Sequence, residues 1–231
     1  MTASLALDGS DSPRVWRLPG VYRPQEDSYL LAGALADAGG TKGAKVLDFC
    51  TGTGFLAVNA AMLGASSVTA FDIDPRAVFS ARVNAWSRRL PIRARQGGLD
   101  EALRHGPFDI VLSNPPYVPC DGENRDPRWD AGADGRCVLD PLCDSLPTLL
   151  TPGGFALIVH SEFTGVEATL SRLREADLKA SVVARSRIPF GPVLRNRTDY
   201  LYSSQLAEPG ALTEEVVVVR ADRPPHEELR T

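Results

Sequence analysis

Two kinds of apolar pattern alternate along the chain. Short, nearly continuous apolar runs occupy residues 45–49 (KVLDF), 68–72 (VTAFD), 108–112 (FDIVL), 155–160 (FALIVH), 178–185 and 215–221 (EVVVVRA), with 92–96 (IRARQ) a more polar case. Runs of this length bounded by turn residues read as strands buried on both faces. Between and before them lie longer stretches with apolar residues three and four apart, at 27–37, 55–64, 75–88, 138–150 and 164–176. These read as amphipathic helices. Pro75 stands at a helix-start position, and Pro152-Gly153-Gly154 stops the fourth helix. Alternating strands and helices predict an α/β fold: a mostly parallel, doubly wound sheet of seven strands with helices on both faces. Residues 1–20 and 222–231 are expected to be disordered ends, leaving 21–221 as one domain.

Composition narrows the function. The 231 residues suit one such domain with an extension. The net charge of −4 is spread along the chain, with no cationic block to suit a nucleic-acid groove, so no stable nucleic-acid partner is expected. Cys50, Cys120, Cys137 and Cys143 form no CxxC pair and have no histidine at ligand spacing, so no metal site is expected. Reduced thiols, the lack of a basic, apolar leader and the lack of a run of roughly 18 apolar residues point to a cytoplasmic protein without membrane contact.

Candidate chemistry gathers where strands end. In open α/β sheets, ligands bind beyond the carboxyl ends of the strands. The run Asp48-Phe49-Cys50-Thr51-Gly52-Thr53-Gly54 lies there, and Gly52 and Gly54 allow a tight turn and close approach of a ligand. Asp72 ends the next strand, 24 positions on, where a carboxylate can accept from both hydroxyls of a ribose. The loop lacks the GxGxxG of a dinucleotide site and the GK[ST] of a phosphate loop. An acid at Asp48 suits an ammonium group rather than a pyrophosphate. A nucleoside with a cationic side arm, S-adenosylmethionine, fits this set; ordinary strand-to-helix turns that happen to end in acids are the alternative.

The runs VLDFCTGTGFLAVNAA, VTAFDIDPRAVFSARVNA and FDIVLSNPPYVP together resemble the HemK/PrmC group of S-adenosylmethionine-dependent methyltransferases. That group methylates the glutamine of the GGQ motif in translation release factors. The stretch VYRPQEDSYLLAGAL and the loop RWDAGADGRCVLDPL are similar to the short, eukaryotic and archaeal type, and the 47 residues before Asp48 are too few for the helical domain of the bacterial type. The resemblance implies a Rossmann-like methyltransferase fold with an antiparallel last strand and S-adenosyl-L-homocysteine as product. It implies cofactor contacts from Ser28, Asp48, Cys50, Thr51, Gly52, Gly54, Asp72, Gly98, Leu99 and Asn114, and a catalytic Asn114-Pro115-Pro116-Tyr117. Two positions depart from the family. Cys50 stands where a glycine is usual, so its backbone must avoid positive φ or be strained. Gly98 stands where an Asp usually meets the adenine amino group; Asp100 or a backbone carbonyl would have to serve. The short type elsewhere works with a small zinc-binding activator docked by strand addition. Here the alternate arginines and leading Pro91 of PIRARQ are the usual protection of an edge strand, so an activator is not expected.

The Asn-Pro-Pro-Tyr run makes chemical sense beside a methyl donor. An amide nitrogen is a poor nucleophile whose two hydrogens need two acceptors. The Asn114 side-chain oxygen can be one. Pro115 and Pro116 hold their predecessors extended and leave the Pro115 carbonyl free to be the second. Tyr117 can cover the flat amide. Positioning of this kind is worth several kcal/mol. The same geometry suits an exocyclic amine of DNA or RNA, or a small metabolite; a cofactor-binding scaffold without catalysis is a further alternative. His160 reads as a structural histidine. Arg128, Trp129 and Arg136 belong to the long loop 118–137, which reads equally as a substrate clamp or a solvated loop.

Overall fold

A computed structural model of the chain describes residues 12–122 and 126–225. Among these, β1 (Lys45–Phe49), β2 (Ser67–Asp72), β3 (Ile92–Gln96), β4 (Phe108–Ser113), β5 (Leu150–Ser161), β6 (Lys179–Pro189) and β7 (Thr213–Asp222) form one sheet. Its order is β3-β2-β1-β4-β5-β7-β6. Strands β1 to β5 pair in parallel, and β7 runs antiparallel to both β5 and β6, as the resemblance implied.

Both faces are covered. Helices α1 (Glu26–Ala38), α2 (Phe55–Met62) and α3 (Pro75–Arg88) bury Leu31, Leu35, Phe55, Leu56 and Val78 against Val46, Ile110, Leu157 and Val218. Helices α4 (Leu99–Leu103), α5 (Leu139–Leu149) and α6 (Val166–Glu175) bury Leu142, Leu146, Leu170 and Leu173 against Leu47, Val111, Ile158 and Val217. Successive strand residues point to opposite faces, so Val46 joins one core and Leu47 the other. That is why the central strands read as nearly continuous apolar runs. Helix α3 opens with Pro75, as the sequence predicted, and is capped by Asp74, whose side chain accepts from Arg76 N.

Strand order reverses between β1 and β4, which lie side by side. Phe49 pairs with Ser113 in that register, so the chain leaves the sheet at Cys50 and at Asn114 next to each other. The glycine loop and the Asn-Pro-Pro-Tyr turn are thereby brought to one cleft.

Several expectations need correction. The leading arm is held from Arg14 to Leu18 rather than loose. Trp16 N donates to Asn84 Oδ1 at 2.8 Å, Asn84 Nδ2 returns a bond to the Trp16 carbonyl at 2.7 Å, and Leu18 N donates to Ser80 Oγ at 3.1 Å. Polar residues on α3 thus replace water for the arm's backbone; residues 1–11 lie outside the described part. Asp222 ends β7, and Arg223 exchanges backbone bonds with Gly153 and Gly154, so the expected tail starts too early; residues 226–231 are outside the described part. Strand β5 begins at Leu150, directly after α5, and carries the Pro-Gly-Gly within it. A Cβ on Gly154 would lie 2.7 Å from the Asp109 carbonyl oxygen, so only glycine lets the strands meet there. Helices α4, α7 (Pro192–Arg195) and α8 (Thr198–Ser203) had no apolar run long enough to predict them. The last two pack Leu194 and Leu201 with Phe163 and Phe190 under Val118, forming a third small core.

Candidate active site

A cleft of about 1270 Å³ opens at the carboxyl ends of β1, β2 and β4. Its lining includes Cys50, Gly52, Asp72, Ile73, Gly98, Leu99 and Asn114, together with Tyr22, Tyr117, Trp129, Pro192 and Glu214.

The glycine loop is tied down from below. Asp48 is fully buried; its Oδ2 accepts from the Thr51 hydroxyl and from Ala57 N, the latter at 2.9 Å. Burial pushes its carboxyl up to about 7 against those two bonds, and Oδ1 has no partner. Asp72 crosses from β2: Oδ2 accepts from Gly52 N at 2.8 Å and Oδ1 from Asp74 N at 2.9 Å. Each oxygen keeps capacity for a further donor, and Asp72 lines the cleft. Burial raises the Asp72 pKa, opposed by these backbone bonds. Cys50 adopts φ 62°, so the glycine-like conformation is kept with a side chain present, and the strain foreseen for this residue is there. A Cβ added to Gly52 or Gly98 would meet nothing within 4 Å, leaving open space on the cleft side of the loop.

Four expected contacts fall elsewhere. Asp48 and Thr51 lie beneath the loop, bonded to each other, and do not reach the cleft. Gly54 serves packing: at φ 79°, a Cβ there would come within 3.0 Å of Ala81 Cβ on α3. Ser28 is buried on α1 and holds Asn114 instead of lining the cleft.

The Asn-Pro-Pro-Tyr turn is organised by α1. Asn114 Nδ2 donates to Asp27 Oδ2 at 3.0 Å and to Ser28 Oγ at 3.1 Å. Both amide hydrogens are thus engaged, and Oδ1 is left for the cleft. Asp27 Oδ2 also accepts from Tyr22 Oη at 2.8 Å and Tyr117 Oη at 3.1 Å. Burial and the Asp27 charge raise the pKa of both phenols, keeping them protonated donors. Among the described residues nothing donates to the Pro115 carbonyl, and Pro115 and Pro116 both line the cleft. Sequence reasoning missed Asp27, Tyr22 and Glu214. The first two lie in the same YRPQEDS stretch that singled out Ser28, so the signal was present.

The long loop divides. Trp129 and Arg128 line the cleft, with the guanidinium 4.1 Å from the indole centre. Arg136 instead ties the loop to α5 through Asp140, and to α6 and the turn before it through Thr169 and the Thr164 carbonyl. A Cβ on Gly135 would overlap the Tyr117 carbonyl at 2.3 Å, so the loop can lie on the turn only with glycine there. His160 is buried away from the cleft, with Nδ1 bonded to Thr164 Oγ1 at 2.6 Å; burial lowers its pKa to about 4, so it stays neutral.

Comparison with known proteins agrees with this geometry. The profile described as Methyltransferase small domain matches residues 13–186. A Methanocaldococcus jannaschii protein provisionally named a protein N5-glutamine methyltransferase is 36% identical over 177 residues, covering 74% of this chain and 88% of that protein. The release factor glutamine methyltransferase of Deinococcus radiodurans is 37% identical over 172 residues, covering 70% of this chain; the match spans only 61% of that longer protein. Among solved structures, the E. cuniculi Mtq2–Trm112 complex, described as responsible for methylation of the termination factor eRF1, superposes with a TM-score of 0.63 at 24% identity, covering 88% of this chain and 99% of that one. The T. thermophilus 16S rRNA N2 G1207 methyltransferase, solved with AdoMet and guanosine, gives 0.61 at 23%, covering 92% of this chain and 49% of that one. These two likenesses show the fold.

Proposed function

The chain belongs to the methyltransferase small domain family, and on that premise we propose that it methylates the side-chain amide nitrogen of glutamine in a translation release factor, with S-adenosylmethionine as donor. The observation that carries this reading is the Asn114 amide, held by Asp27 and Ser28 so that its oxygen is offered to the cleft. An acceptor that brings two N–H donors on a planar group matches that oxygen and the unbonded Pro115 carbonyl. The relatives named for glutamine methylation support the same acceptor.

S-adenosylmethionine, when bound, supplies an electrophilic methyl on a sulfonium. Asp72 would hold the ribose hydroxyls through its remaining lone pairs, while Ile73 and Leu99 give apolar surface for the base. Asn114 and the Pro115 carbonyl would orient the acceptor NH₂, and Tyr117 would cover its face. No strong base is needed, because the nitrogen's proton becomes acidic as the bond to carbon forms. The chain's work is alignment and charge placement, and such alignment can contribute several kcal/mol.

A protein acceptor is the partner of this reading. We further propose that no strand-adding activator is required. Arg82 Nε donates to the Ala94 carbonyl at 2.9 Å, occupying an acceptor on the β3 edge, and Arg93 and Arg95 stand exposed beside it. The neighbouring α3 face does carry exposed Phe79 and Trp86, the surface that a second subunit would cover. Purification of the chain alone and assay without other proteins decides this point.

The test of the main reading is incubation with labelled cofactor and, separately, a release factor, tRNA, DNA and cell extract. Label on one glutamine of the release factor is the expected result. Label on nucleic acid or on a small molecule alone would replace the acceptor.

A further inference from the structure

Glu214 is a buried carboxylate where the strand pattern calls for an apolar residue. It opens the series Glu214, Val216, Val218 that faces α1, and it is 5% exposed. Its position is fixed at the cleft end of the sheet, because β7 runs antiparallel and Val216 pairs with Ser161, the last residue of β5. From there it lines the same cleft as Tyr22, Tyr117 and Asn114. Its Oε2 has no hydrogen-bond partner.

The neighbouring acid behaves differently. Asp27 is equally buried, yet its carboxylate already accepts from Ser28, Tyr22, Asn114 and Tyr117. The structure therefore sets two acids on one wall, one saturated and one with an oxygen to spare. A buried carboxylate oxygen without a donor is costly, and valine would serve the core better. Burial, with the nearby charges of Asp27 and Glu162, pushes this carboxyl up to about 7, against the pull of the Ser161 hydroxyl. A group kept at such expense beside a cleft fits one that gains its partner from a ligand.

We propose that Glu214 contacts the acceptor, taking a main-chain N–H at or beside the target glutamine. This rests on the reading of a peptide acceptor given above. A main-chain N–H is a donor that a peptide carries in addition to the reacting amide. Asn114 and the Pro115 carbonyl would then hold the side-chain NH₂ while Glu214 fixes the backbone beside it. An acceptor carrying a carboxylate at that place would be repelled by both acids. Glu214 thus selects the acceptor and sets its register without taking part in the transfer.

The test compares wild type with Glu214→Leu and Glu214→Val at saturating S-adenosylmethionine. The primary measurement is kcat and KM on the intact release factor. Glu214→Leu should raise KM roughly tenfold to a hundredfold, the range for a hydrogen bond to a charged group, with kcat changed far less. Cofactor affinity should be unchanged, and the melting temperature equal or higher, which separates contact with acceptor from support of the fold. Short glutamine peptides, each N-methylated at one main-chain nitrogen, then locate the donor. Wild type should lose a similar factor on one of them, and Glu214→Leu should be indifferent to that methylation. Glu214→Val, the apolar residue that the strand pattern calls for, makes the same KM comparison should the leucine variant fail to fold. Wild-type KM in a folded variant would overturn the proposal. Label appearing only on nucleic acid or a metabolite, with wild type inert on the factor, would overturn the peptide acceptor and this contact with it.

Discussion

Asp27 Oδ2 accepts a hydrogen from Asn114 Nδ2 at 3.0 Å, joining residues 87 positions apart in the chain. Ser28 Oγ takes the other hydrogen at 3.1 Å. An amide with both hydrogens engaged cannot turn over, so the oxygen end is set by the first turn of α1. The neutral amide is thus polarised by a carboxylate behind it, which makes Oδ1 a better acceptor for an incoming N–H. Asp27 is a positioning residue that works through Asn114.

Substituting Asn114 by Ala removes that acceptor while keeping the proline turn. Turnover should fall on the order of a hundredfold to a thousandfold, as for loss of one preorganised group. Asp27→Asn leaves Asn114 in place but faces it with a competing NH₂, and should lower kcat about tenfold or more with cofactor affinity retained. Steady-state kinetics at saturating cofactor, with calorimetric titration of cofactor, measures both. Full turnover by Asn114→Ala would remove the residue from the mechanism.

Asp72 should govern cofactor affinity. Asp72→Ala is expected to cost roughly 1.5–3 kcal/mol, the range for hydrogen bonds to a charged group. Because Asp72 also holds Gly52 N and Asp74 N, part of that loss would come from a loosened loop. Asp72→Asn keeps acceptor capacity for one of those bonds and should fall between wild type and Ala. Unchanged affinity in Asp72→Ala by calorimetry would contradict the assignment.

How much of this was legible in the sequence depended on the range of the signal. The parallel core was plain, because strands buried on both faces do not alternate, and 45–49 and 108–112 are nearly continuous apolar runs. The Asn-Pro-Pro-Tyr turn and the acid at Asp72 were plain for the same local reason. What the sequence hid were side-chain directions and distant partners. Asp48 and Ser28 stand in the expected motifs, but each points beneath the surface it was expected to line. Glu214 looked like the polar start of a strand, and only the β5–β7 register brings it to the cleft. Helices α7 and α8 are four and six residues long, too short to carry a helical period.

Cys50 holds a conformation that glycine adopts freely. At φ 62° a side chain adds about 1–2 kcal/mol of steric cost, offset in part by the extra flexibility that glycine brings to the unfolded chain. Cys50→Gly should therefore stabilise the protein by about 0.5–1 kcal/mol, raising Tm by about 1–4 °C for a chain of this size. Cofactor affinity should hold or improve. A fall in Tm by differential scanning calorimetry would mean that the thiol packs better than its backbone suffers.

Glu214 should leave a mark on stability against pH. Its folded pKa is raised, to about 7 from 4.5, so the folded chain binds its proton more tightly than the unfolded chain does. Its contribution is fully present below about pH 4.5 and is lost as pH rises through 7, on the order of 3 kcal/mol in all. The groups facing it are Asp27 of α1, Glu162 and Ser161 at the end of β5, and the phenols of Tyr22 and Tyr117. Glu214→Gln should flatten the decline between pH 4.5 and 7 and be more stable than wild type at pH 8. Part of the slope should persist, because Asp48 is raised to about 7 as well. Urea unfolding across that range measures it, and parallel curves would show that Glu214 titrates normally.

Asn114→Asp is the sharpest probe of the pair that opened this Discussion. The substitution is nearly isosteric, yet it sets a second carboxylate against Asp27 where an N–H···O bond of 3.0 Å stood. Two buried carboxylates at that distance cannot both ionise, so one must keep a proton or the turn must move. The single variant should melt lower at pH 8 than at pH 6 by more than wild type does, and should transfer methyl poorly. Adding Asp27→Asn reverses the polarity of the contact: residue 27 becomes the donor, residue 114 the acceptor, and the Tyr22 and Tyr117 hydroxyls can turn to suit. The double variant should recover most of the lost Tm and lose the added pH dependence. It should not recover full turnover, because a carboxylate beside a sulfonium stabilises the ground-state cation and makes its methyl less electrophilic. The melting curves therefore test the hydrogen bond and the kinetics test the neutrality of the amide. If the double variant melts no higher than Asn114→Asp alone, the Asp27–Asn114 contact is not the one that holds the turn.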